Sequence, residues 1–270
     1  RYTELIIILF LSLVSFGANA KSPPPGTGTS DVPANIMIML DNSGSMRANV
    51  TSAGAVYYPS DVQTDSSGNV YILSYAYNQI KKYDSSGNFV KSIGGGGYGC
   101  NQWYYAYDFE IFNDQIYIYS RYGRDIKVMD LNGNCVRSTS RNVLNGSPMS
   151  IAITNNYIYI RNSNQRIERF VRSSLSFAGS QTFSRSVHNY SYGAFNANNA
   201  GTKLIVANRR GPIYGLTEFN IGGGGALTFA GHTCTSYSSW NGCHRYSNGA
   251  DYDSNGNIYS TDYYNHRVQK

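Results

Sequence analysis

Asp41, Ser43 and Ser45 are closely spaced polar side chains that could bind a metal ion together. They place one carboxylate and two hydroxyl groups within the short stretch 41–45. Oxygen atoms of these kinds are the ligands that Mg²⁺ and Ca²⁺ prefer in proteins. The spacing therefore indicates a candidate metal site. The alternative is a turn rich in small polar residues that follows a strand.

The element that positions these side chains is the apolar run 36–40, which is bounded by turn residues and predicts a buried strand. Over residues 35–46, this strand and its DxSxS loop resemble the first strand and metal-ion-dependent adhesion site of von Willebrand factor A domains. The resemblance implies that a Thr and an Asp from two later loops complete a Mg²⁺ or Ca²⁺ site. No helical pattern follows the motif here. We therefore expect either completion by residues outside this chain or a remnant motif that binds no metal alone.

The sequence before this strand is typical of an exported protein. Residues 5–16 are an apolar run too short to span a bilayer comfortably, and Ala18-Asn19-Ala20 follows as a cleavage motif. We predict a signal peptide at 1–20, a Pro/Gly-rich linker at 21–34 and the partial A-domain-like segment at 35–55. A buried helix or membrane anchor is the alternative for the apolar run. Export predicts a secreted, periplasmic or cell-surface protein without a stable membrane anchor after cleavage.

Composition favours an all-β chain. Charged residues make up 14% of the 270 residues, whereas the chain contains 25 Tyr and 28 Gly. This composition is expected of short strands joined by tight turns. The net charge is +6, but the Lys and Arg residues are scattered, so nucleic-acid binding is not expected.

A repeat fills the sequence from residue 56 onward. The apolar triplet 70–72 recurs 46 residues later at 116–118, each time with an isoleucine ten residues after the start of the triplet. Looser copies begin at Ile158, Leu204 and Ile258. An Asp-x-x-Gly-Asn turn precedes the triplets at 70–72 and 258–260. About four strands in each unit of roughly 40 to 50 residues predict a β-propeller, with unrelated hairpins in a sandwich as the alternative.

These residues also carry a family resemblance. Residues 58–62, 65–72 and 78–94, and again 249–259 and 265–269, resemble NHL-repeat β-propellers. The resemblance implies that residues 56–270 form an NHL-type propeller with about five blades present. Because six blades commonly close this family, we expect an N-terminal fragment of a longer protein that stops inside its fifth blade.

Cysteine and histidine positions give further hypotheses. Cys234 and Cys243 are close enough in sequence for a disulfide, and Cys100 with Cys135 is a second candidate pair. Neither pair has the spacing of a zinc site. Some propeller enzymes hold an axial metal with histidines, but the four histidines do not recur at the blade period. They are His188, His232, His244 and His266.

Tyrosines cluster where the blades begin. They could either present aromatic rings to a protein or carbohydrate ligand or pack between blades. They are Tyr57, Tyr58, Tyr104, Tyr105, Tyr107, Tyr190, Tyr192, Tyr263 and Tyr264.

Two functions remain open on the sequence. The first is an exported, non-enzymatic binding or adhesion protein whose propeller face binds a protein or carbohydrate ligand and requires no cofactor. The order of signal peptide, DxSxS strand and propeller resembles type IV pilus-tip adhesins, although domain order and repeat type differ. The alternative is a propeller enzyme, a hydrolase or lyase, with an axial metal site.

Overall fold

The computed structural model describes residues 54–184, 193–208, 215–234, 243–244 and 246–270. All of them belong to one compact unit, residues 50–270. The predicted signal peptide, the linker and the side chains of Asp41, Ser43 and Ser45 lie outside the described residues. Within the described ranges, no helix combines the length and apolar character that crossing a membrane requires.

The predicted all-β propeller is confirmed, with five antiparallel sheets as blades. Strands pair in chain order within every sheet, and the fifth sheet has three strands. The strands of the first two blades are β1 (Pro59–Thr64), β2 (Val70–Ser74), β3 (Gln79–Tyr83), β4 (Phe89–Gly94), β5 (Phe109–Phe112), β6 (Gln115–Ser120), β7 (Asp125–Asp130) and β8 (Cys135–Ser138). The remaining strands are β9 (Pro148–Ile153), β10 (Tyr157–Asn162), β11 (Arg166–Val171), β12 (Phe177–Thr182), β13 (Phe195–Ala197), β14 (Lys203–Ala207), β15 (Leu216–Ile221), β16 (Leu227–His232), β17 (Ser247–Tyr252), β18 (Ile258–Asp262) and β19 (Arg267–Gln269).

The first strand of each blade lies nearest the propeller axis. Strand β1 contacts β5, β5 contacts β9, β9 contacts β13, and β13 contacts β17. The repeated apolar triplets occupy the second strands, where their residues are mostly buried. The sequence repeat therefore corresponds to one blade.

The Asp-x-x-Gly-Asn turn owes its shape to the aspartate. Asp65 Oδ1 accepts hydrogen bonds from the backbone N–H groups of Ser67 (3.0 Å) and Asn69 (2.9 Å). Gly68 has a φ of +78°, which glycine adopts without the steric penalty of a Cβ atom. The same two backbone bonds recur at Asp84, Asp130 and Asp253. In the fourth blade, Asn198 Oδ1 accepts from Thr202 N (2.8 Å) instead.

The core lies between neighbouring blades and contains buried tyrosines whose hydroxyl groups find acceptors. Tyr71 donates to Asp65 Oδ2 (3.0 Å), Tyr119 to the Met149 carbonyl (2.7 Å) and Tyr159 to the Gly225 carbonyl (2.9 Å). A buried tyrosine is tolerated when its hydroxyl is paired in this way. Part of the high tyrosine content therefore serves packing.

Two disulfides tie loops to the blades. Cys100 bonds to Cys135, with 5.5 Å between their Cα atoms, and so joins the connection after β4 to the start of β8. Cys234 bonds to Cys243, with a Cα separation of 4.9 Å. The described residues contain no free cysteine.

Candidate functional site

Two carboxyl groups meet beside the axis, Asp61 in β1 and Asp108 immediately before β5. The Phe109 N–H donates to Asp61 Oδ2 (3.2 Å), and the Ile151 N–H donates to Asp108 Oδ2 (2.9 Å). Each carboxyl group thus binds the backbone of the next blade. The two side chains are also hydrogen-bonded to each other. This contact requires a proton on one of them.

Burial sets the protonation of this pair. It raises the pKa of Asp61 to about 6, against hydrogen bonds that favour the carboxylate. Burial, followed by the nearby charge of Asp61, raises the pKa of Asp108 well above its ordinary value. Both side chains still have partial access to solvent. Both shifts favour the protonated form of the pair over the fully charged form.

Arg161 is a buried cation whose charge acts on Asp108 of this pair. Its charge opposes the rise in the pKa of Asp108, while burial lowers its own pKa to about 10. Its Nε donates to Ser150 Oγ (2.9 Å) and its Nη2 to the Gly193 carbonyl (2.7 Å). The guanidinium group stays charged at neutral pH and joins the third blade to the start of the fourth.

A polar cavity of about 330 Å³ lies next to these groups. Its lining includes Gln63, Glu110, Asn196 and Asp251, which occupy equivalent positions on four inner strands. Burial, and then the charges of Asp108, Asp61 and Asp251, raise the pKa of Glu110 well above its ordinary value. Such carboxyl groups have the properties of general acids or bases, but structural hydrogen bonding between blades explains Asp61 and Asp108 equally well.

The described histidines, His232, His244 and His266, do not form a common metal site. His232 Nδ1 is hydrogen-bonded to Thr217 Oγ1 (2.9 Å), and His244 Nε2 to Ser260 Oγ (2.8 Å). His266 ends a short 3₁₀ turn, and His188 lies outside the described residues. In the part of the chain that the structure describes, no group of three or more His, Cys, Asp or Glu side chains is arranged to hold a metal.

Exposed tyrosines gather on one end of the propeller. We call this end the tyrosine face; it comprises the loops between second and third strands and the connections between blades. Tyr122 is 61% exposed, between β6 and β7, and Tyr263 is 59% exposed, between β18 and β19. The other strongly exposed tyrosines of this face are Tyr57, Tyr58, Tyr77, Tyr98 and Tyr264.

Six of the tyrosines on this face form a continuous contact chain, the tyrosine belt. Its central ring is Tyr105, which lies 4.7 Å from Tyr122 and 5.3 Å from Tyr75, measured between ring centroids. The Tyr75 and Tyr107 rings stack at 4.4 Å, and their hydroxyl oxygens are 2.8 Å apart. The belt consists of Tyr75, Tyr98, Tyr104, Tyr105, Tyr107 and Tyr122.

Backbone hydrogen bonds fix the belt in place. The Tyr105 N–H donates to Asn78 Oδ1 (2.7 Å), and the Tyr104 N–H donates to Ser120 Oγ (3.0 Å). The Tyr104 carbonyl accepts from the Arg121 N–H (2.9 Å). These bonds join the connection between the first two blades to loops of both blades. The rings are therefore held before any ligand arrives, which reduces the entropy lost on binding.

The structure places the tyrosines singled out by sequence in different environments. Tyr57, Tyr58, Tyr263 and Tyr264 are exposed, whereas Tyr104, Tyr105 and Tyr107 are half-buried within the belt. Tyr190 and Tyr192 lie outside the described residues.

Five described tyrosines of this face and the axial carboxyl groups were not predicted from the sequence; these tyrosines are Tyr75, Tyr77, Tyr98, Tyr122 and Tyr246. Tyr75, Tyr77 and Tyr122 directly follow the second strands, so the repeat register could have located them. The signal for Asp61 and Asp108 was their separation of 47 residues, close to one blade period.

Neither a scan against known protein families nor a comparison with curated proteins finds a match. Solved structures with a similar fold include a streptogramin B lyase, with a TM-score of 0.54 and 13% identity over 77% of this chain and 66% of that one. A putative 6-phosphogluconolactonase from Bacteroides uniformis has a TM-score of 0.55 and 12% identity over 78% and 68% of the two chains. The WD40 β-propeller domain of Doa1 has a TM-score of 0.53 and 12% identity over 76% and 60%. At these identities, the likeness concerns the propeller fold alone.

Proposed function

We propose that this protein is an exported, non-enzymatic binding or adhesion protein that uses the tyrosine face as its interaction platform for a protein or carbohydrate ligand. The observation that carries the proposal is the gathering of exposed tyrosines on one end of the propeller. Tyrosine offers a large contact area at a low entropy cost and a hydroxyl group for polar contacts. The ordered belt supplies a preorganised surface.

Other features support the proposed export of the protein and its assignment to the NHL-type propellers. Two disulfides suit an oxidising compartment, as the predicted signal peptide also requires. The recurrent Asp-x-x-Gly-Asn turn supports the NHL-type assignment of 56–270. We further propose that 35–55 is an A-domain-like segment, and that the whole protein is surface-associated in the manner of pilus-tip adhesins.

Alanine substitution of the two most exposed belt tyrosines tests the binding role. The double variant Tyr98→Ala/Tyr122→Ala should bind at least about tenfold more weakly to the glycan-array or matrix-protein spots that retain the unsubstituted protein. Tyr259→Ala is the matched control, because Tyr259 is 40% exposed but lies within β18 rather than on the tyrosine face. Equal binding by the double variant and the unsubstituted protein would refute the proposed platform.

The DxSxS loop is tested separately. Should residues outside this chain complete the site formed by Asp41, Ser43 and Ser45, then Asp41→Ala in the full-length protein abolishes Mg²⁺- or Ca²⁺-dependent adhesion. Adhesion that is unchanged by Asp41→Ala, or by removal of divalent cations, would show that this loop has no metal role.

A propeller enzyme is the second candidate, favoured by the axial carboxyl pair and the polar cavity. Lyase and putative lactonase structures are among those that share the fold. Metal analysis after dialysis separates this candidate from the first. One tightly held Zn²⁺ or Ca²⁺ per chain that is lost on substituting His232, His244 or His266 would contradict a binding-only protein.

A further inference from the structure

Charged side chains are distributed unequally between the two ends of the propeller. The described loops 75–78, 95–108, 121–124, 139–147 and 263–266 on the tyrosine face contain Arg121, Arg124 and Arg141, and their one acidic residue is Asp108, which lies beside the axis. The opposite end carries the turns between first and second and between third and fourth strands. Those turns contain Asp65, Asp84, Asp114 and Asp253 but only one cation, Arg172, and Asp130 ends β7 at the same end of the propeller. The tyrosine face is therefore the cationic end among the described residues.

The arginines lie against the tyrosine belt. The Arg141 guanidinium carbon is 3.7 Å from the Tyr98 ring centroid at one end, and that of Arg121 is 5.5 Å from the Tyr107 centroid at the other. Arg124 lies in the same loop as Tyr122 and donates from Nε and Nη2 to Asn142 Oδ1 (3.1 and 2.8 Å). Aromatic rings and hydrogen bonds thus hold the cations in a fixed arrangement.

We propose that the tyrosine belt and its three arginines bind an acidic polysaccharide, one that bears carboxylate or sulfate groups along its chain. This inference rests on the proposed binding function and names its ligand class. Guanidinium groups pair with carboxylate and sulfate oxygens through two parallel hydrogen bonds. The tyrosine rings contact the apolar faces of sugar rings, and their hydroxyl groups hydrogen-bond to sugar hydroxyls.

The ring geometry favours sugars over single-stranded nucleic acid. Nucleic-acid platforms stack planar bases on open aromatic faces. Here the rings of Tyr98 and Tyr104 meet at 70°, and those of Tyr105 and Tyr122 meet at 53°. Two belt pairs are stacked, Tyr75 with Tyr107 at 4.4 Å and Tyr104 with Tyr105 at 6.4 Å, and in each pair one ring face is turned to the other ring. This surface offers edges and tilted faces to a puckered ring rather than slots for a base.

Titration calorimetry with four soluble probes tests the inference: polygalacturonate, dextran sulfate, neutral dextran and oligo-dT. We expect polygalacturonate or dextran sulfate to bind at least about tenfold more tightly than neutral dextran and oligo-dT, with affinity falling as salt rises. Arg124→Gln/Arg141→Gln should weaken that binding at least about tenfold, since two charge-assisted contacts are lost.

Two controls isolate the face and the charge. Lys91→Gln removes an exposed cation from β4 that is hydrogen-bonded to the Asn132 carbonyl in a turn at the opposite end, and it should leave binding unchanged. Arg141→Lys keeps the charge without the planar fork and should bind between Arg141→Gln and the unsubstituted protein. Circular dichroism melting of each variant verifies that the fold is retained.

The outcomes separate the ligand class from the platform. Loss of binding to a neutral glycan or a protein in Tyr98→Ala/Tyr122→Ala, with no effect of the arginine variants, would overturn the acidic class but keep the platform. Tighter binding of oligo-dT than of both acidic polysaccharides would overturn the proposed polysaccharide ligand and indicate a nucleic-acid ligand. No effect of any tyrosine or arginine substitution on any ligand would overturn both proposals.

Discussion

The surroundings of the aspartates in this protein determine whether their charged or their protonated form stabilises the fold. In the exposed turns, hydrogen bonds from Asn88 lower the pKa of Asp84, and those from Asn257 lower the pKa of Asp253. At the axis, burial raises the pKa of Asp61. The turn carboxylates stabilise the fold in their charged form, whereas the axial pair is most stable with a proton.

The axial pair predicts a pH dependence. The folded-state pKa of Asp61 is raised from 3.8 to about 6, so its contribution to stability is full below about pH 4 and is lost as the pH rises towards 6. The Asn side chain of Asp61→Asn carries no charge, so we expect the decline in unfolding free energy between pH 4 and 6 to flatten. Urea unfolding of Asp61→Asn and of the unsubstituted protein at each pH measures this dependence of the unfolding free energy on pH.

The matched control for this prediction is Asp84→Asn. Hydrogen bonds lower the pKa of Asp84, so its contribution is lost only as the pH falls through that lowered value. Asp84→Asn should therefore leave the slope of unfolding free energy against pH unchanged between pH 4 and 6. A slope that is identical in Asp61→Asn and the unsubstituted protein would show that the axial pair does not titrate in this range.

The buried turn aspartate should matter more than its exposed counterpart. Asp65 is 8% exposed and accepts hydrogen bonds from two backbone N–H groups, from Asn69 Nδ2 (2.8 Å) and from the Tyr71 hydroxyl (3.0 Å). Asp65→Ala leaves these donors without an acceptor, so we expect a loss of about 2 to 3 kcal/mol in unfolding free energy. Asp84→Ala removes a similar turn in solvent and should cost less. Equal losses would contradict the role of burial.

The last strand of the first blade ends where its backbone passes close to a buried tryptophan ring. Strand β4 ends at Gly94, whose φ of +86° and position against the fully buried Trp103 both exclude a side chain. A Cβ atom there would lie 2.0 Å from the Trp103 ring. Trp103 lies within the connection that carries Tyr98, Tyr104, Tyr105 and Tyr107 of the tyrosine belt, so this contact also positions the candidate binding surface.

We predict that Gly94→Ala lowers the unfolding free energy by about 3 kcal/mol, because overpacking adds to backbone strain. Gly87→Ala is a matched control, with a similar φ of +84° but no atom within 4 Å of the added Cβ. It should cost about 1 kcal/mol, from the backbone alone. Thermal and urea unfolding measure both variants, and equal losses would refute the packing contribution of Trp103.

At the scale of the whole molecule, stability should differ between blades. The largest core cluster joins the first three blades and includes Ile118 and Phe170. Among the described residues, the smallest cluster joins the fourth and fifth blades and includes Ile205 and Ala250. Fewer buried apolar contacts lower the free energy of local opening.

Hydrogen exchange should therefore be faster in the fifth blade. We expect amides of β18 to exchange at least about tenfold faster than those of β6, since the second strand of each blade occupies the same place in the sheet. Exchange followed by mass spectrometry compares the two strands within one sample. Equal protection would show that all five blades open together.

The all-β propeller class and the presence of about five blades were predicted from the sequence, and the structure confirms both. Local physics carries these features: the apolar triplets must be buried, and the Asp-x-x-Gly-Asn turns close on themselves through hydrogen bonds within five residues. Asp41, Ser43 and Ser45 remain a prediction from sequence alone, outside the described residues.

Which side chains meet depends on the arrangement of the blades in three dimensions. Asp61 and Asp108 come together because inner strands of successive blades converge on the axis. Tyr98 and Tyr122 join one belt because a connection between blades packs on a loop of the next blade. Such contacts depend on how blades are arranged around the axis, and no local pattern in the sequence encodes that distance. The cationic tyrosine face is therefore a property of the assembled propeller.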